Sequence, residues 1–122
     1  MKENFFIRIT PENSVQGIEK DGKETMLDFL YSAIGCDSIE IVRFGKRTGQ
    51  VAVVDEEGKL NDSKLNMIAS VLLHQLIYGV VIFCIEEDCD LRGYNPIECA
   101  CARFAIDRAL QESGLFSRGD EK

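Results

Sequence analysis

The chain has 122 residues, of which 45% are hydrophobic and 29% charged, with a formal net charge of −7. That length supports one hydrophobic core, and the balance is that of a folded chain rather than a disordered one. The negative charge opposes phosphate backbones, so nucleic-acid binding is not expected. It suits either a basic partner or simple solubility.

Phe5–Thr10 alternates and reads as a strand, with Phe5, Ile7 and Ile9 on one face and Phe6, Arg8 and Thr10 on the other; Pro11 ends it. Residues Glu12–Lys23 are polar and contain Gly17 and Gly22, so a loop is expected. Glu24–Ile34 carries an apolar stripe of Met26, Leu27, Leu30, Ala33 and Ile34 at helical spacing, and Gly35 suits the left-handed terminus. Ser38–Phe44 and Gln50–Asp55 read as two strands joined by the FGKRTG turn. Leu65–Leu76 is expected to be a helix capped by Asp62 or Ser63, with Leu65, Ile68, Ala69, Leu72, Leu73 and Leu76 inward.

Tyr78–Ile85 is almost wholly apolar, as in a central strand covered on both faces. EEDCDLRGYN reads as a polar connection. Asn95-Pro96-Ile97-Glu98 then provides a capping Asn, Pro at the first helical position and Glu at the third, opening a helix to about Ser113 with Gly114 as its stop. The expected fold is therefore a single α+β domain over residues 1–116 in the order β-α-β-β-α-β. A ferredoxin-like arrangement is one possible form of it, with an added C-terminal helix and a frayed tail at 117–122.

No apolar run approaches the ~18–20 residues of a membrane span. The amino-terminal MKENFFIRIT lacks the apolar region and cleavage site of a secretory signal, so a cytoplasmic location is expected. Five cysteines, Cys36, Cys84, Cys89, Cys99 and Cys101, give an odd count that favours free thiols. Cys99 and Cys101 lie about 200° apart around a helix and do not make a zinc knuckle. The acidic groups Asp55-Glu56-Glu57 and Glu86–Asp90 lack the spacing of a calcium loop. His74, the only histidine, falls off the apolar stripe of its helix with no Ser or Cys beside it in sequence. No catalytic residue, metal site or cofactor is expected.

The one concentrated basic turn, Gly45-Lys46-Arg47-Thr48-Gly49, is read as a solvated hairpin tip, with Lys46 and Arg47 the best candidates for contact with a phosphate-bearing ligand. It lacks the length and final Lys-Ser/Thr of a phosphate loop. The Asn95–Ser113 helix is apolar on more than one side, with Ile97, Cys101 and Phe104 towards one face and Ile106, Ala109 and Leu110 towards another. The second group is expected to meet another copy of the chain in a C2 dimer. The rival reading is a helix sunk between the sheet and the Glu12–Lys23 loop.

Ile34-Gly35-Cys36-Asp37-Ser38-Ile39-Glu40-Ile41-Val42, then VVDEEGKL at Val53–Leu60, Leu65-Asn66 opening a helix, and Tyr78-Gly79-Val80-Val81 together resemble a family of short proteins of unknown function. These are found in bacterial genomes, phages and mobile elements. The similarity covers about residues 26–92, with Cys36 where a second glycine would be expected. The resemblance implies an accessory mobile-element protein and carries over no catalytic residue. The leading expectation is a non-enzymatic binding or interaction protein, such as an inhibitor or accessory factor acting on a host protein. A small-ligand or nucleotide binder using Lys46 and Arg47 is the alternative.

Overall fold

The computed structural model describes residues 2–45 and 49–114. The elements in chain order are β1 (Phe5–Ile9), β2 (Val15–Glu19), α1 (Met26–Ile34), β3 (Ile39–Gly45), β4 (Gln50–Asp55), α2 (Met67–Leu73), β5 (Val81–Glu87), β6 (Asp90–Arg92) and α3 (Pro96–Ser113). The strands form one six-stranded sheet in the order β2-β1-β5-β4-β3, with β6 also paired to β5, and its strand pairings are antiparallel. This is the expected α+β class with its C-terminal helix.

The strand order differs from a ferredoxin-like arrangement, in which each helix joins two parallel strands separated by one strand. Here β5 lies between β1 and β4, and α2 connects β4 and β5, which are adjacent and antiparallel. Helix α1 instead carries the chain from β2 at one edge of the sheet to β3 at the other.

The alternation of side chains along each strand divides the core into two clusters. Ile7, Ile9, Ala52, Val54, Val81, Phe83 and Ile85 point to the side covered by α2 and α3, where they meet Ile68, Leu73, Ala102, Ile106 and Leu110. Phe6, Val51, Val53, Ile82 and Cys84 point to the other side, against Phe29, Leu30 and Ile34 of α1. Strand β5 is thus covered on both faces, which is why its sequence is continuously apolar rather than alternating.

The helix termini follow local chemistry. Thr25 caps α1 by accepting from the Asp28 N–H, and Gly35 closes it at φ +82°. At α3, Asn95 and Glu98 form the reciprocal capping box.

Three expectations need correction. The segment read as a loop contains β2, which pairs with β1 from Phe5↔Glu19 to Ile9↔Val15. As an edge strand it is only partly buried, so its sequence stays polar. The second helix is shorter than its apolar pattern: Asn66, not Asp62 or Ser63, is its cap, and the chain leaves it at His74 with φ +57°. Leu65 makes a bridge to Tyr78, and Leu76 is 69% exposed. The polar connection after β5 is a tight hairpin into β6, with Asp88 and Cys89 both at positive φ.

Candidate protein-interaction face

The distinctive VVDEEGKL segment proves to be a structural joint. Asp55, at the end of β4, accepts from the Glu57 N–H through Oδ1 (2.9 Å) and from Asn61 Nδ2 through Oδ2 (3.2 Å), which winds the acidic residues into a turn. Gly58 is held there because a Cβ would lie 2.8 Å from the Tyr78 carbonyl oxygen. Asn66 is wholly buried. Its Nδ2 donates to the Ile9 and Gly79 carbonyls at 3.0 and 2.8 Å, while Oδ1 accepts from the Ala69 N–H at 3.1 Å. One side chain therefore ties together the end of β1, the start of α2 and the approach to β5.

Three of the thiols are held towards their protonated form. Burial raises the Cys36 and Cys99 pKa values, with Asp55 adding to the effect at Cys36, and pushes Cys84 up to about 12. His74 lies exposed at the left-handed end of α2. Among the described residues, no group of three or more His, Cys, Asp or Glu is gathered to hold a metal ion. No helix among them is long and apolar enough to cross a membrane. The proposed ligand residues Lys46 and Arg47 lie outside the described residues.

Of the α3 residues expected to meet another copy of the chain, two lie inward. Ile106 and Leu110 are 7% and 2% exposed and pack into the core of their own subunit, while Ala109 is half-buried. The opposite side is uncovered, with Ile97 and Phe104 at 63% and 64%. Periodicity shows that the helix has two apolar sides but not which one faces the sheet. The inward row Ala102, Ile106 and Leu110 is spaced by four residues and meets β1 and α2.

Strand β3 ends the sheet on one side, as β2 does on the other. Strand β3 pairs with β4 alone. The Glu56 N–H donates to the Ser38 carbonyl (3.1 Å), which sets the phase of that pairing. Glu40 and Val42 turn their backbone groups to β4, whereas Ile39, Ile41 and Arg43 turn theirs outward. On the helix side, Val42 and Phe44 reach the edge of the α2–α3 cover. Phe44 is 39% exposed, with its ring edge-on to Phe83 at 5.5 Å.

Two hollows lie along this strip. One, of about 180 Å³, is apolar and lined by Phe44, Gln50, Leu72, Phe83, Ala102, Ala105 and Ile106. The other, of about 230 Å³, is lined by Val42, Val54, Leu76, Ile77 and Tyr78 together with Glu40, Asp55, Glu56 and Lys59. On the reverse side of the sheet, Arg43 spans to Glu86 in a bidentate pair at 2.7 and 2.8 Å. The pair holds the Glu86 carboxyl below its ordinary range and raises Arg43.

Sequence reasoning did not find this strip, because it depends on which strand lies at the edge. It also missed Arg92, whose guanidinium engages Glu98 at 2.8 and 3.0 Å, Glu87 at 3.1 Å and Glu3 at 3.5 Å. Buried Tyr94 was missed as well; its hydroxyl donates to Gln50 Oε1 at 3.1 Å.

Fold and site together define a small α+β domain with an antiparallel sheet packed between helices and ending in the edge strands β2 and β3. The chain belongs to the family described as Domain of unknown function (DUF3846), whose model matches residues 1–104, taking in every strand and the first half of α3. No curated protein and no solved structure matches it.

Proposed function

We propose that this protein is a non-enzymatic binding domain that takes a protein partner on the β3 side of its sheet. The observation that carries the reading is Phe44, a large aromatic left partly exposed beside an apolar hollow at an unpaired sheet edge. The raised thiols and the structural use of the VVDEEGKL turn favour binding over catalysis. The resemblance to phage and mobile-element proteins supports an accessory role in which the partner is a host protein.

The test is capture from host lysate on the immobilised full chain, compared with Phe44→Arg and scored by quantitative mass spectrometry. A small set of proteins retained by the parent and lost from the variant is the expected result. Equal capture by both would remove the β3 side from the proposal, and turnover of a substrate by the purified chain would overturn the non-enzymatic reading.

A further inference from the structure

We propose that the partner presents an extended segment that joins β3 as a further antiparallel strand. A large apolar side chain of that segment sits over the hollow at Phe44, and a Lys or Arg four residues later in it lies against Glu40. This rests on the protein-binding reading above and specifies its chemistry.

The outward N–H and C=O groups of Ile39, Ile41 and Arg43 form an unsatisfied ladder, which an extended chain satisfies without rearrangement. The sheet's strand pairings are antiparallel, so an added strand would continue the pattern. Side chains of that strand facing Glu40, Val42 and Phe44 would project to the helix side at intervals of about 7 Å. The β3 register shifts between Arg43 and Gly45, at the Phe44 end, and the first and last side chains of the regular added strand are about 14 Å apart. That spacing reaches both hollows, since Val42 lines the acidic one and Phe44 the apolar one.

Charge selects the occupant. Among the described residues, Glu40 and Glu56 have no ion-pair partner, and Lys59 is the only cation lining their hollow. A second copy of the chain fits poorly. Antiparallel β3–β3 pairing centred on Ile41 would set Val42 opposite Glu40, leave Arg43 on the other face, and bring together two chains of charge −7. A segment supplying one cation and one apolar anchor matches both hollows at once.

The experiment selects a display library of random peptides of about nine residues on the full chain, then maps the binders by amide hydrogen exchange. The expected result is about tenfold enrichment of peptides with a large apolar residue four positions before Lys or Arg. These peptides should protect the amides of Ile39, Ile41 and Arg43, and should stop binding when the amides facing β3 are N-methylated. On Glu40→Lys the enriched basic residue should change to Asp or Glu while the apolar one is kept.

Absence of enrichment, a footprint elsewhere, or indifference to N-methylation overturns the proposal. Concentration-dependent protection of the same amides in the protein alone assigns the edge to a second copy and overturns it too. If lysate capture depends on Phe44 but these amides stay unprotected, strand addition falls while the protein-binding reading stands. Loss of Phe44-dependent capture removes the reading itself.

Discussion

Asn66 shows how much of the fold one polar side chain can fix. Replacing it with Ala removes a donor from the Ile9 and Gly79 carbonyls and removes the α2 cap, which should cost about 2–4 kcal/mol in urea unfolding. Asn66→Asp keeps the cap but turns a carboxylate towards the Ile9 and Gly79 carbonyls. Its folded-state pKa should therefore rise above the unfolded value. The variant should regain stability as pH falls through that raised pKa, whereas Asn66→Ala should not. Cys89 presents the reverse case. At φ +68° it occupies a position that suits glycine, in a two-residue turn where Asp88 is also left-handed. Cys89→Gly should stabilise the protein by about 1 kcal/mol, seen as a higher urea midpoint with an unchanged slope.

Helix α3 is tied at its start by charge as well as by capping. The Arg92 guanidinium, together with the Asn95 backbone N–H, holds the Glu98 carboxyl down at about 2 from an ordinary 4.5. A depressed acid of this kind contributes stability above its unfolded pKa and loses it as pH falls through the folded one. The pair should therefore weaken between about pH 4.5 and pH 2. Glu98→Gln should be less stable at pH 7 and should show a flatter acid limb in that window by circular dichroism.

This helix was legible because its start signal is local: Asn95, Pro96 and Glu98 act within one turn. The β3–β4 pair and the buried β5 were legible for a similar reason, each declared by its own alternation or continuous apolarity. Strand β2 was not, because an edge strand is half solvated and its residues resemble a loop. The end of α2 was hidden because Leu76 continues a helical spacing after the backbone has turned away at His74. Asp88-Cys89 was hidden because Asp tolerates positive φ but Cys stands where a hairpin turn would usually show glycine. The candidate face was the least legible feature, since Glu40 and Phe44 acquire meaning only once β3 is known to be the last strand.

Packing across the whole chain determines what a change in α3 will do. Leu110 is enclosed with Ile106 in the cluster that includes β1 and β5. Leu110→Glu should therefore unfold the subunit instead of separating a dimer, and Leu110→Ala should cost about 2–5 kcal/mol. Thermal melts at two protein concentrations distinguish these outcomes, because loss of a dimer would make the difference concentration-dependent. Further along the sheet, Gly93 lies so near the amino-terminal strand that a Cβ would meet the Glu3 and Phe5 carbonyl oxygens at 2.8 Å. Beside it, Phe5 and Tyr94 exchange backbone hydrogen bonds at 3.1 and 2.6 Å.

The placement of β1 between β2 and β5 has a consequence for biosynthesis. Ile7 pairs with Phe83 and Phe5 bridges to Tyr94, so β1 leaves the ribosome well before the strand that completes it. At ~5–20 residues per second, the amino-terminal hairpin waits roughly 4–15 s with Phe6, Ile7 and Ile9 lacking their final cover. Its free edge is then open to chaperones and to other nascent chains. Slower codons between β2 and β5 lengthen that wait and should lower the soluble fraction without altering the stability of the molecules that do fold. Comparing synonymous genes by soluble yield and by the urea midpoint of the purified product separates the two effects.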